Sequence, residues 1–105
     1  MKTIEEIQAQ FAVGDIEFSD HATKQMRKRG ISIDELFQAV TNAECIETYP
    51  DDKYGSSVLL LGFTDIARPL HLVVTASERP SCKIITAYQP NPDEWDYNRI
   101  RRPKL

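Results

Sequence analysis

The sequence has no run of apolar residues that approaches the roughly 18 to 20 needed to cross a membrane as a helix. Its first residues, MKTIEEIQAQ, carry two acids where a secretory signal would have an apolar segment. We therefore expect a cytoplasmic protein that makes no membrane contact. Only two cysteines, Cys45 and Cys82, are present, which is too few for a disulfide framework or a thiolate zinc site.

The sequence also lacks the signatures of a bound cofactor. Its two histidines, His21 and His71, have no cysteine or carboxylate at ligand spacing, so we expect no metal site. The sequence contains no glycine-rich phosphate loop and no nucleophile elbow. We expect no cofactor, and an enzyme with this sequence would work by acid–base and electrostatic means.

Length and composition predict a single globular domain over residues 1–105. A chain of 105 residues with 41% hydrophobic and 28% charged residues can bury a core without disulfides. The net charge is −3, but every charged residue between His21 and Gly30 is basic. This segment predicts a local cationic patch that attracts a phosphate-bearing ligand. Its cations are Lys24, Arg27, Lys28 and Arg29.

Three helices are predicted in the N-terminal part. The first and the third begin with capping boxes, and the first ends near residues 13–14. The second begins at Ser19 or Asp20 and stops at Gly30, a residue suited to a left-handed cap. The boxes are Thr3 with Glu6 and Ser32 with Glu35, and the apolar face of the third helix consists of Ile33, Leu36, Phe37 and Val40.

After Glu44 the pattern changes to four β-prone runs, ECIETY, SSVLLLGFT, PLHLVVTAS and CKIITAYQ, separated by short turns. Strands joined by such short connections must run antiparallel, which predicts a four-stranded antiparallel meander. Asn91 and Pro92 then predict a short C-terminal helix that contains Trp95. The fold class is therefore α+β, with the N-terminal helices packed on the sheet.

The second helix contains the first candidate site. At about 100° per residue, His21, Gln25 and Lys28 share one face, with Lys24 at its side and Arg29 next to the buried stripe. A histidine beside cations suits phosphodiester chemistry, because imidazole can move protons and cations stabilise phosphorane charge. The alternative is a basic helix face that is only solvated.

Further candidate residues lie on the sheet and in one loop. His71 shares a strand face with Val73 and Thr75, where it either faces a cleft or belongs to the core. The hydroxyls of Thr86 and Tyr88 lie on one face of the last strand and either bind phosphate or simply pack. Lys53 and Tyr54, in the loop PDDKYG, either reach a substrate over the sheet or remain solvated.

The segments FSDHATKQMRKRGIS, PLHLVV and IITAYQPNPDEW, with Tyr49 and Asp52, resemble the bacterial family called domain of unknown function 4258 over residues 18–95. That family is similar to the RelE-like and BrnT-like ribonuclease toxins. The resemblance implies a RelE-like toxin fold and metal-independent RNA cleavage by attack of a ribose 2′-hydroxyl on the adjacent phosphate. It also implies an RNA substrate and a small antitoxin protein as partners.

Roles for individual residues are implied by this resemblance. His21 and Arg29 match the histidine and arginine of the family's helix, and imply a proton donor or acceptor and a phosphate clamp. Thr86 and Tyr88 match its ITAY strand and imply positioning groups. We assign substrate contacts to Lys24, Gln25, Lys28, Lys53 and His71.

Two other interpretations remain open. In one, the domain is a non-enzymatic interaction module in which His21 and Arg29 are structural, bonded to the end of the sheet or to the acidic loop. In the other, it is a former toxin that keeps the fold without the chemistry.

Overall fold

The computed structural model describes residues 1–53 and 55–103 as three helices, a five-stranded sheet and a two-stranded hairpin. The chain is therefore an α+β protein, as predicted. The helices are α1 (Ile4–Ala12), α2 (Asp20–Arg29) and α3 (Ile33–Thr41). The strands are β1 (Ile16–Phe18), β2 (Glu44–Asp52), β3 (Gly55–Phe63), β4 (Pro69–Thr75), β5 (Cys82–Tyr88), β6 (Trp95–Asp96) and β7 (Ile100–Arg101).

The predicted helix ends are confirmed. In α1 and α3 the cap side chain and a glutamate three residues later each accept a hydrogen bond from the other's backbone amide. The side chain of Ser19 caps α2 by accepting from the Ala22 amide, and α2 ends at Gly30 with φ 64°, in the left-handed region that favours glycine. Within the described residues, no helix combines the length and hydrophobicity needed to span a membrane.

The sheet has the strand order β1-β5-β4-β3-β2, in which β1 runs parallel to β5 and all other neighbours are antiparallel. The predicted four-stranded antiparallel meander is correct for β2 to β5 but wrong for the whole sheet, because β1 adds a parallel edge strand. β1 contains only the three residues Ile16–Phe18. A strand this short does not show the alternation by which strands are recognised in a sequence.

The predicted C-terminal helix is wrong beyond its first turn. The Asn91 carbonyl accepts from the Trp95 amide at 3.0 Å, but the chain then reverses at Tyr97 and Asn98, and β6 pairs with β7. The Trp95 side chain is only 4% exposed, and its ring lies edge-on to that of His71 with centroids 4.5 Å apart. Burial of this large aromatic group on the sheet outweighs the weak tendency of a short segment to remain helical.

The helices cover one face of the sheet and form the core with it. α3 approaches β3 so closely that a Cβ atom on Gly62 would lie 1.9 Å from the Ala39 carbonyl oxygen. Ile33, which we predicted on the apolar face of α3, is 52% exposed, because the first turn of α3 extends beyond the buried stripe. The sheet residues of this core are Val58, Leu60, Leu70, Leu72, Val74, Cys82, Ile84 and Ala87.

The opposite face of the sheet is more polar and does not contact the helices' apolar cluster. The β6–β7 hairpin lies on it through the contact between Trp95 and His71. Strand register aligns the side chains of this face in three rows. The rows are Glu44, Leu61, His71 and Tyr88, then Glu47, Leu59, Val73 and Thr86, then Tyr49, Ser57 and Thr75.

α2 completes the edge of the sheet beside β5. β1 pairs only with the first part of β5, residues 82–84. Beyond it, the Ser19 hydroxyl donates to the Ile85 carbonyl at 2.9 Å, and Arg29 Nη1 donates to the Ala87 carbonyl at 3.0 Å. Residues at both ends of α2 thus donate hydrogen bonds to backbone carbonyls of β5 that have no neighbouring strand as a partner.

We expect Gly62→Ala to lower the free energy of unfolding by about 1–3 kcal/mol or more, because the added methyl group must displace the backbone of α3. Gly30→Ala is the matched control: nothing lies within 4 Å of the position that its methyl group would take, so only the left-handed φ is penalised, by about 1 kcal/mol. Urea unfolding of both variants measures the difference. Equal losses would contradict the close contact between α3 and β3.

Candidate functional site

His21 lies in a groove of about 450 Å³ at the start of α2. The groove combines this exposed imidazole with two lysines, Lys53 and Lys83, and two acids, Asp20 and Asp52. His21 and Lys53 were predicted as site residues, and the structure brings them together. Among residues 1–53 and 55–103, no three His, Cys, Asp or Glu side chains are grouped to hold a metal ion. The side chains that line the groove can transfer protons and stabilise charge.

The other polar residues of the predicted helix face do not line this groove. Lys24 and Lys28 are exposed on α2, and Gln25 is half-buried. Lys24 and Lys28 add to the basic surface of the helix outside the groove lining. Their predicted contacts with a substrate stay predictions.

Arg29 is directed at the sheet rather than at His21. Its guanidinium donates to the Ala87 carbonyl at 3.0 Å and lies 5.7 Å from the centroid of the Tyr88 ring. Arg29 follows His21 by eight positions, which corresponds to about 12 Å along the helix axis. Arg29 and Tyr88 line a separate groove of about 420 Å³.

His71 is completely buried, so it does not open onto a cleft. Its Nε2 lies 2.6 Å from the Asn98 carbonyl, which can only accept a hydrogen bond, so Nε2 carries the proton. Nδ1 then accepts from the Tyr88 hydroxyl at 3.2 Å. Burial lowers the pKa of His71 below its ordinary value, against a smaller opposing effect of the bond to Asn98. We interpret His71 as a neutral group that links the β6–β7 hairpin to β5.

A second polar cluster joins the hairpin to β2. Arg101 donates to both carboxylate oxygens of Glu47, at 3.0 and 3.3 Å, and the Tyr49 hydroxyl donates to Glu47 at 2.6 Å. Arg101 also stacks on Trp95, with its guanidinium carbon 4.5 Å from the ring centroid. Burial raises the pKa of Glu47, but the hydrogen bonds from Arg101 and Tyr49 outweigh it and hold the pKa below its usual range.

The predicted residues of the last strand, Thr86 and Tyr88, lie on the face of the sheet that the helices do not cover, which we call the free face. Thr86 lies opposite Val73 in the strand register and is half-buried. Tyr88 lines a groove of about 630 Å³ that also contains Arg101 and Asp52. This groove shares Asp52 with the His21 groove and Tyr88 with the Arg29 groove, so it lies between those two.

The profile of one family, described as domain of unknown function (DUF4258), matches residues 18–89 of the chain. The chain belongs to the DUF4258 family. The match includes α2 and all of β2 to β5, and it ends before the β6–β7 hairpin. No curated protein and no solved structure matches the chain significantly. The likeness of this DUF4258 domain to RelE-like toxins stays a prediction.

Sequence reasoning missed Lys83 because the DUF4258 domain has an irregularity in β5. Strict alternation would place Lys83 and Thr86 on opposite faces of the strand. The register changes between Val73 and Val74, which pair with Thr86 and Ile84, so β5 contains an extra residue. Lys83 consequently faces the same side as Thr86 and Tyr88. A β-bulge of this kind has no signature in this sequence.

Glu47 and Arg101 were missed because they lie 54 residues apart and meet only when the hairpin folds onto the sheet. Arg101 lies outside the segment that matches DUF4258. Tyr54, which we predicted beside Lys53 at the loop tip, lies outside the described residues.

The buried His71 predicts a loss of stability in acid. The unfolded chain protonates this imidazole near pH 6.5, whereas the folded chain does so only at lower pH. The stability due to neutral His71 is therefore complete above about pH 6.5 and is lost as the pH falls through the lowered folded-state pKa. His71→Gln should lower the free energy of unfolding at pH 8 by about 1–3 kcal/mol. Between pH 8 and pH 5.5, urea unfolding should show a smaller decrease in this free energy for His71→Gln than for the parent. The control His21→Gln keeps His71 and should keep the parent's pH dependence; a parallel curve for His71→Gln would contradict the assignment.

The bond from Arg29 to Ala87 predicts a structural role for this residue, whatever else it does. Arg29→Ala should lower the free energy of unfolding by about 1 kcal/mol, because the Ala87 carbonyl loses its donor. The neighbouring Lys28→Ala, on the exposed side of α2, should change it by less than about 0.5 kcal/mol. Thermal unfolding compares the midpoint temperatures of the two variants. Identical midpoints would show that the hydrogen bond from Arg29 to the Ala87 carbonyl does not stabilise the fold.

Proposed function

We propose that this DUF4258 domain is a metal-independent endoribonuclease in which His21 transfers a proton. The observation that supports the proposal is the groove in which His21 lies together with Lys53 and Lys83. In this proposal the two ammonium groups contact the negatively charged phosphodiester directly, while His21 and the aspartates of the groove, Asp20 and Asp52, move the protons that its cleavage requires.

The proposed reaction uses the ribose 2′-hydroxyl of the substrate as the nucleophile. Its oxygen forms a bond to the adjacent phosphorus, and the bond from phosphorus to the 5′-oxygen of the next nucleotide breaks. The products are a 2′,3′-cyclic phosphate and a free 5′-hydroxyl. One proton leaves the 2′-hydroxyl and one is delivered to the departing oxygen, so the reaction needs a base and an acid but no water or metal.

We assign the acid to His21 and the base to a carboxylate of the same groove. Asp20 and Asp52 both line it. Asp52 is oriented by bonds from the Ser57 hydroxyl and from the Lys53 amide, the latter at 2.7 Å. The side chains of Lys53 and Lys83 stabilise the additional negative charge that develops on the phosphorane oxygens.

In this proposal the predicted residues of β5 and the end of α2 act on other parts of the RNA. We assign Arg29 to a phosphate away from the scissile one, since its guanidinium is turned toward Ala87 and Tyr88. We assign Thr86 and Tyr88 to positioning of the chain along the free face of the sheet. A toxin of this type would act in the cytoplasm and be neutralised by a small antitoxin protein.

A non-enzymatic interaction module is the second candidate, and one observation favours it. An apolar groove of about 290 Å³ lies between α2 and α3 and contains Phe18, Met26, Ile31 and the exposed Ile33. Such a groove suits an apolar side chain of a partner protein. For such a module, Arg29 and His71 serve only the fold, as their hydrogen bonds allow.

Incubation of the purified protein with total RNA in excess chelator tests the ribonuclease. The parent should produce fragments that end in cyclic phosphate, and His21→Ala should reduce the rate about 100-fold or more while the protein stays folded. Lys83→Ala should also slow cleavage, because it removes a cation from the groove. Arg102→Ala, a cation of the C-terminal segment outside the groove, should cleave at the parent's rate.

Intact RNA in every preparation, both free and bound to translating ribosomes, would refute the ribonuclease and leave the interaction module. If His21→Ala cleaves RNA at the parent's rate, His21 is not the proton donor, and the catalytic residues lie elsewhere in the molecule. High expression of the lone protein in bacteria without growth arrest would argue against an active toxin.

A further inference from the structure

The groove of about 630 Å³ on the free face of the sheet contains two aromatic rings and one planar cation. These are the side chains of Tyr49, Tyr88 and Arg101. Asp52 lines this groove and also the groove of His21, so the two grooves are neighbours. We call the larger one the aromatic groove.

Hydrogen bonds hold both tyrosine rings of the aromatic groove in place. The Tyr49 hydroxyl donates to Glu47 at 2.6 Å, and the Tyr88 hydroxyl donates to Nδ1 of His71 at 3.2 Å. Burial raises the pKa of both tyrosines, so the phenols remain uncharged at neutral pH. Rigid, neutral rings lose little conformational freedom when a flat ligand stacks on them.

Contacts on two sides position the cation of the groove. Arg101 is held between the carboxylate of Glu47 and the ring of Trp95, and its charge is balanced by Glu47. Asp51 and Asp52 add two further carboxylates to the lining. The aromatic groove therefore has no excess positive charge for a phosphate, but it offers flat surfaces for stacking and acceptors for amino groups.

From this geometry we infer that the aromatic groove binds one nucleobase of a single-stranded RNA whose neighbouring phosphate lies beside His21. Stacking on Tyr49 and Tyr88 supplies the affinity, and the Asp51 and Asp52 carboxylates accept hydrogen bonds from the base. The inference rests on the proposed function in taking RNA as the ligand. It adds that the substrate is single-stranded, because a base within a duplex cannot enter the groove.

Binding of an oligonucleotide that cannot be cleaved tests this site separately from catalysis. The probe is a fluorescent 2′-O-methyl RNA octamer of mixed sequence, and fluorescence anisotropy measures its Kd. Tyr49→Leu should raise the Kd about 10-fold, since stacking on an aromatic ring is lost. Tyr49→Phe keeps the ring and should bind within about 3-fold of the parent, on the same stacking argument.

Tyr97→Leu is the matched control, because Tyr97 is exposed on the β6–β7 turn and does not line the aromatic groove. It should bind like the parent. An octamer of abasic residues should bind the parent at least as weakly as the base-containing octamer binds Tyr49→Leu, because stacking on Tyr88 is then lost as well. Circular dichroism checks that each variant is folded.

Absence of octamer binding by the parent, or an unchanged Kd for Tyr49→Leu, would overturn the inference. An equal loss for Tyr49→Phe and Tyr49→Leu would also overturn it, because the hydroxyl and not the ring would then be responsible. Cleavage assays judge the proposed ribonuclease independently. If cleavage depends on His21 but Tyr49→Leu does not change octamer binding, the ribonuclease proposal is supported and the base site is refuted. Conversely, ring-dependent binding without cleavage would retain the base site and refute the nuclease.

Discussion

The attachment of α2 to the unpaired edge of β5 determines the arrangement of the candidate site. β1 covers residues 82–84 of that edge, and the remaining carbonyls at Ile85 and Ala87 receive their donors from Ser19 and Arg29. A backbone carbonyl without a partner is costly in a folded protein, so both ends of the helix are constrained. This constraint holds His21 at the corner of the sheet beside Lys83, and it turns Arg29 toward β5 and away from His21.

The polar chemistry lies on the face of the sheet that the helices leave open. The covered face is apolar, because burial of charged groups there would be unfavourable. On the free face the C-terminal hairpin brings Asn98 to His71 and Arg101 to Glu47. These contacts satisfy polar groups of β2 and β4 and hold Tyr88 and Tyr49 in the groove that both of them line. The C-terminal segment therefore contributes Arg101 to a groove on this face as well as contacts to the fold.

Local patterns predicted the three N-terminal helices correctly. The capping boxes at Thr3 and Ser32 and the left-handed Gly30 depend on neighbouring residues only, so their signals are complete within a few positions. The short β1 strand and the C-terminal hairpin were missed, because both exist through pairing or packing with distant residues. Asn91 illustrates the limit: it begins the turn that its sequence predicts, but burial of Trp95 decides how the chain continues after that turn.

The sequence by itself determined the α+β class, the three helices, the antiparallel run from β2 to β5 and the basic character of α2, because periodicity, capping, connection length and charge are local properties. It also indicated His21 and Lys53, although not that they share a groove. Only the tertiary structure decided that Lys83 and Asp52 join them, that Arg29 bonds to the sheet and that His71 is buried and neutral. The physical reason is that a β-bulge, a parallel edge strand and a folded-back hairpin depend on contacts between residues far apart in the chain.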